Sequence, residues 1–434
     1  MSETGTEAAT TEEEQEERHG TGHEEEMPRV VVTRRQAIAA CLFVLAAVGF
    51  LYFVLPKLAG VGETLRRLEG GDVWWIAAGI VLELASFAGY VVLFRAVFVA
   101  SETRSSGVSG GVAVVSGSSD GAGASASFAG SSAESAPSGA HSRIGWSESY
   151  QITMAGLAAT RLFATAGAGG IALTAWALRR SGMEPRLVAC RMVAFVVLLY
   201  AVYAGSVLID GLGLGTGLFP GGGSFALTIL PAIAAAALIA AVGAMALLPG
   251  DFERRLGRWA SHSGRLAHWI ARAATVPALA ASGVRTAIEL IRSRDPGLLG
   301  AIAWWGFDIS VLWAMFHAFG AGGSPPPFTV IWMAYFLGML GNLLPLPGGL
   351  GGVEGGMIGA LVAFGVSFDL AVLAVLSYRG ISFWLPTIPG AVAYFQLRRT
   401  VARWRAEQQG AGASVAAEPA RAGSGIEAAG VQAL

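Results

Sequence analysis

Residues 341–356 read GNLLPLPGGLGGVEGG. Seven glycines, two prolines and one glutamate interrupt a region that is apolar on both sides. Pro345 and Pro347 cannot donate to a helical ladder, and glycine at this density adds backbone entropy that a helix must overcome. In a soluble protein the stretch would be an ordinary loop. The composition around it argues otherwise. Of 434 residues, 54% are hydrophobic and 14% charged, where soluble domains carry about 25% charged residues. The chain reads as an all-α, polytopic membrane helical bundle.

Six segments are long and apolar enough to span, judged against the ~20 residues a helix needs: 37–55, 73–99, 187–209, 225–248, 297–319 and 370–396. Two more apolar regions are broken. Residues 150–178 are interrupted by ATAGAGG and residues 328–364 by PLPGGLGG. Each falls into pieces too short to cross alone. The ends differ in kind: residues 1–36 begin with ten glutamates in 26 positions and read as a disordered acidic tail, and 401–434 as a second disordered tail. The Gly/Ser-rich 101–147 is a linker inserted in the transmembrane domain, 37–400.

Arginine fixes the expected topology. Arg29, Arg34 and Arg35 place the N-terminus in the cytoplasm; Arg398, Arg399, Arg403 and Arg405 place the C-terminus there too. The Arg-rich segment 251–295 is also cytoplasmic, and its partial amphipathicity suits an anionic membrane surface better than nucleic acid. Loops 210–224 and 320–327 have no Lys or Arg and fit the outside. Counting crossings then requires each broken region to enter and leave on one face, from opposite sides. Lys57, Arg66 and Arg67 resist this scheme, since it puts them outside.

The two halves repeat as span, broken hairpin, span, with inverted orientation. Local echoes accompany the repeat: Trp74-Trp75 with Trp304-Trp305, Gly167-x-Gly-Gly with Gly349-x-Gly-Gly, then Gly182 and Gly365. Inverted repeats with broken helices are a transporter architecture. Unwound chain at membrane depth survives only inside protein or against water. The helix end at 353–357 therefore offers N–H groups to an anion such as a phosphate headgroup.

Ionisable residues inside apolar segments are functional candidates by default. Glu354 costs about 2.5–3.5 kcal/mol on insertion scales unless it meets water or a cation, although an interfacial loop would also house it. Arg161, Arg191 and Arg379 are its candidate partners, and a two-fold axis would bring Arg191 and Arg379 together. The arginine fork matches phosphate. Glu83, Arg95, Asp308 and His317 complete the set; Arg95 and Asp308 lie near span ends, where snorkelling is the simpler reading, and Glu83 with Arg161 fits a structural ion pair. Cys41 and Cys190 read as inert small residues. No cofactor is expected, and no Cys/His spacing supports a metal; no Gly-Lys-Ser/Thr follows the glycines, so no nucleotide loop is present. The single lysine and the Ala/Gly richness suggest a GC-rich bacterial genome.

The stretch LPLPGGLGGVEGGMIGALVAFGV, with Tyr378-Arg379-Gly380 and Pro389-Gly390 beyond it, resembles the lysylphosphatidylglycerol synthase transmembrane-region family. TRLFATAGAGGIALTAWALRRSGM resembles that family's other hairpin. The resemblance covers residues 35–400. It implies a flippase-like domain for a phospholipid or polyprenyl-linked lipid, and headgroup roles for Pro347, Gly348, Gly349, Gly351, Glu354 and Arg379. Two acids common in the family are absent: Gly169-Gly170-Ile171 stands where Gly-Glu is usual, and Cys190-Arg191 where Glu-Arg is usual. A cationic aminoacyl headgroup is accordingly a weaker expectation. With about 38 residues after the last span, no soluble aminoacyltransferase domain is expected, and a separate synthase would supply the lipid. The expected place is the plasma membrane. Competing functions are a membrane subunit or intramembrane transferase in envelope lipid modification, and a carrier of soluble ions or metabolites.

Overall fold

The computed structural model describes residues 71–99, 144–162, 168–247, 265–320, 324–344 and 349–430. The described residues are helical with no strand. In chain order the helices are α1 (Val73–Phe98), α2 (Trp146–Leu162), α3 (Ala168–Arg180), α4 (Pro185–Gly215), α5 (Ile229–Ala246), α6 (Arg265–Arg292), α7 (Leu299–Phe319), α8 (Phe328–Met339), α9 (Gly352–Ala363) and α10 (Phe368–Gly430). Among them α1, α4, α5, α7 and α10 are long and apolar enough to cross a membrane. These are five of the six expected spans; 37–55 lies outside the described residues, as do the whole acidic tail and most of the linker.

Both broken regions are helix pairs. The first is α2 and α3, the second α8 and α9, with a 3-10 turn at Leu340–Leu343 after α8. Two short helices can pair tightly only if their backbones come close, and glycines allow it. A Cβ on Gly356 would stand 3.0 Å from the Gly338 Cα, and one on Gly156 would stand 2.9 Å from the Thr174 hydroxyl. Each pair also ends alike. Met183 N–H donates to the Leu178 carbonyl and Val366 N–H to the Leu361 carbonyl, with Gly182 (φ +100°) and Gly365 (φ +90°) between. Those left-handed positions favour glycine, as in a Schellman-type helix end.

The repeat is visible in packing. The corresponding spans α1 and α7 make the most extensive helix contact of the bundle. Each hairpin's first helix crosses to the other half's last span: α2 lies along α10, and α8 touches α4. The Tyr203 hydroxyl donates to the Phe336 carbonyl at 2.5 Å across the second crossing, and Thr400 donates to Gln151 at 2.9 Å across the first. The tryptophan echo takes part, but unevenly: Trp75 packs edge-on to Trp313 and Trp304 packs against Tyr90, both across the α1–α7 contact. Trp74 is 80% exposed in the first turn of α1, whereas Trp305 is buried well inside α7 and donates to the Leu199 carbonyl. The core is a layer of Leu, Ile, Val, Met and aromatic side chains from α7, α8, α9 and α10.

Two segments differ from expectation. Helix α10 continues through residues expected to be coil, to Gly430. As far as Trp404 the reason is local: Leu397, Val401 and Trp404 recur at helical spacing and are buried, and the Ala, Arg and Gln around them favour helix. Helix α6 is packed against α4 and α5 through Ala281, Val284, Ala287 and Leu290. Cys190 sits at that seam, its sulfur 3.2 Å from the Ser282 hydroxyl.

Candidate functional site

Glu354 is in the first turn of α9, not in a loop, and is 1% exposed. Its two oxygens have separate tasks. Oε2 accepts the Gly351 N–H at 2.7 Å, and Oε1 accepts the Arg379 Nε–H at 2.7 Å. The first bond closes the N-terminus of α9, whose leading N–H groups have no helical partner, and places a negative charge where the helix dipole favours one. The second is a buried ion pair with α10. The anion position expected at 353–357 is thus filled by the protein's own carboxylate. Gly349 (φ +67°) and Gly351 (φ +84°) shape the turn that leads into the cap. Pro347 and Gly348 lie outside the described residues.

Arg161 ends α2 and reaches across to α10, where its Nη1 donates to the Phe383 carbonyl at 3.2 Å. That carbonyl stands just before Pro386 and Pro389, which interrupt the α10 ladder; the Thr387 hydroxyl donates to it as well. The guanidinium lies 5.9 Å above the Phe87 ring. The charges of Glu83, Asp308 and Arg379 all act on it. Half-buried Arg161 and buried Arg379 are therefore members of one charged cluster with Glu83, Asp308 and Glu354.

Asp308 is the residue whose position the sequence concealed. It lies near the middle of α7, 7% exposed, and accepts from the Tyr335 hydroxyl and from the Tyr378 hydroxyl, at 3.1 Å to each oxygen for the latter. It does not snorkel. Glu83 of α1, 1% exposed, faces it within hydrogen-bonding range. Sequence reasoning gave Tyr335 and Tyr378 no role here. Their signal was available: a phenol placed in an apolar span brings a hydroxyl that needs a partner.

Arg191 is elsewhere. Its Nη1 donates to the Phe98 carbonyl at 2.9 Å, satisfying the C-terminal end of α1, where a cation suits the helix dipole. Arg95 stacks 4.0 Å over the Trp146 ring and donates to the Ser149 hydroxyl. His317 packs between Trp75 and Trp313. Among the described residues no group of His, Cys, Asp and Glu is arranged to hold a metal ion.

Beside the charged cluster runs an apolar groove of ≈ 870 Å³ on the surface of the bundle, between α1, α2 and α10. Leu84, Phe87, Trp146, Ile381, Trp384 and Ile388 are among its walls. Leu84 follows Glu83 and Gly380 follows Arg379, so neighbouring residues of the same helices serve the groove and the cluster. Arg161 over Phe87 closes the gap between the two.

A profile of the lysylphosphatidylglycerol synthase transmembrane region matches residues 138–390, which include both hairpins, Arg161, Glu354 and Arg379. The chain belongs to this family. Two membrane proteins of the archaeon Methanothermobacter thermautotrophicus, both named UPF0104 membrane protein, are similar over shorter stretches. One is 35% identical over 112 residues, covering 26% of this chain and 31% of the relative. The other is 38% identical over 89 residues, covering 20% and 26%. The matches span under a third of either relative. For this member of the lysylphosphatidylglycerol synthase transmembrane-region family, the departures noted in sequence lie at Gly170 and Cys190. Gly170 sits where the α2–α3 pair is closest, and Cys190 in the α4–α6 seam.

Proposed function

We propose that the protein is a flippase-like carrier that moves a phospholipid or polyprenyl-linked lipid between leaflets, with its phosphate read by Arg161 and Arg379. The observation that supports this reading most directly is the juxtaposition of the apolar groove with half-buried Arg161 and buried Arg379. A hydrocarbon chain suits the groove walls, and a phosphate suits a planar guanidinium. Arg379 is held by Glu354 and Arg161 by the Phe383 carbonyl, so a headgroup binds by exchange: a phosphate oxygen takes the place of a protein acceptor. The exchange loses few hydrogen bonds overall, which suits a carrier that must also release its cargo. The membrane is the plasma membrane, with both termini cytoplasmic on the strength of the flanking arginines. A separate synthase would supply the lipid.

The test uses purified protein in liposomes carrying a headgroup-labelled phospholipid, with a membrane-impermeant quencher outside. Wild type should speed loss of inner-leaflet label relative to protein-free liposomes, and Glu354→Gln and Arg379→Met should slow it at least tenfold. A polyprenyl phosphate is run in parallel. If neither lipid moves faster with protein than without, or if both variants fold and transport like wild type, the reading fails.

A further inference from the structure

Glu83 and Asp308 lie near the middles of α1 and α7, the corresponding spans of the two halves, and so meet where the halves are joined. The antiparallel register of the seam, with Gly79 of α1 against Val311 and Met315 of α7 and Gly89 against Gly300 and Ala303, sets the two carboxyl groups opposite one another, close enough to share a hydrogen bond. Two ionised carboxylates cannot make that bond, because neither has a hydrogen to give. Buried like charges at such a distance also repel strongly.

The surrounding donors separate the two groups. Asp308 accepts from both Tyr335 of α8 and Tyr378 of α10, the environment of a carboxylate. Glu83 Oε2 is buried and receives no hydrogen bond from any described residue. An ionised Glu83 would leave that oxygen without a donor; a protonated one gives its hydrogen to Asp308 and leaves a weaker acceptor behind. Charge balance agrees. The cluster contains Glu83, Asp308 and Glu354 against Arg161 of α2 and Arg379 of α10. With one proton on the carboxyl pair its net charge is zero, and without it a net negative charge is sealed in the interior.

We infer that Glu83 and Asp308 form a binding site for a single proton, held while the α1–α7 seam is closed and released only when that seam opens. The proton is the ligand, the two carboxyl groups are its seat, and the tyrosines orient Asp308 to receive it. Loss of the proton sets two negative charges face to face across the most extensive contact among the described helices, so occupancy and closure rise and fall together. The site itself stands on the geometry of these ionisable groups. Its use in driving transport rests on the lipid-carrier reading.

The test is infrared spectroscopy of the wild-type protein in lipid nanodiscs at neutral pH, with glutamate side chains 13C-labelled in one sample and aspartate in another. A protonated-carboxyl band that shifts with glutamate label, and is lost in Glu83→Gln, is expected. Asp308→Asn should shift or abolish the same band. Asp210, a second buried acid whose oxygens have no hydrogen-bond partner, is separated by Asp210→Asn, which should leave the Glu83 band in place. If wild type shows no glutamate-dependent band, or if that band survives Glu83→Gln, the inference is overturned. Neither readout involves lipid transfer. A proton band without flipping refutes the carrier alone, and flipping without the band refutes the proton site alone.

Discussion

Removing both partners of the Glu354–Arg379 pair should cost clearly less than the sum of removing each one alone. The bond is 2.7 Å long with side-chain exposures of 2% and 9%, so either ion left alone is cut off from water. Stranding one member of a buried pair costs about 3–5 kcal/mol. Glu354→Gln keeps an acceptor for the Gly351 N–H and so isolates the loss of charge. Arg379→Met keeps the stem length and leaves Glu354 with its cap alone. In the double variant no charge is stranded, so its loss should fall short of the summed single losses by about 2–3 kcal/mol, at the upper end of coupling for residues in contact. Titration of unfolding with SDS in mixed micelles, followed by circular dichroism, gives the four free energies. Additivity within ~0.5 kcal/mol would mean that the two side chains do not interact, and the carrier reading would lose its central pair.

Three further outcomes follow from packing. Gly356→Leu forces a side chain against the Gly338 backbone and should cost about 1–3 kcal/mol, read by the same titration. Gly182→Ala and Gly365→Ala place Cβ atoms at φ +100° and +90°, so each should cost about 1–2 kcal/mol; unequal losses would argue against equivalent hairpin ends. Arg191→Met should cost about 1.5–3 kcal/mol through the lost charged hydrogen bond to Phe98, yet leave lipid transfer per folded molecule in place. Abolished transfer in a folded Arg191→Met protein would return that arginine to the headgroup site.

Spans were legible because length and hydropathy are one-dimensional properties, and the breaks because proline and glycine act locally. The Gly182 and Gly365 echo held for the same reason: a left-handed helix end is set by a residue and its immediate neighbours. What sequence did not show is which way each helix faces. Lipid is as apolar as the core, so α1, α7 and α8 are apolar all round and carry no stripe that marks an inner face. Asp308 therefore looked like a residue near a span end, and Tyr335 like ordinary core. Arg191 and Arg379 were paired on symmetry alone. The structure gives one to the end of α1 and the other to Glu354, because each guanidinium went to the unsatisfied acceptor within its reach.

The crossing of α2 onto α10, and of α8 onto α4, bears on how such a chain is made. Helix α2 leaves the ribosome long before α10 exists, and during that interval its contact face, with Arg161, has no mate. The first half must wait in the membrane, shielded by lipid, water or the insertion machinery, until the last helix arrives. Neither half is a self-sufficient unit, despite the repeat. A gene cut between the halves would yield two fragments that are unstable apart and stable when synthesised together.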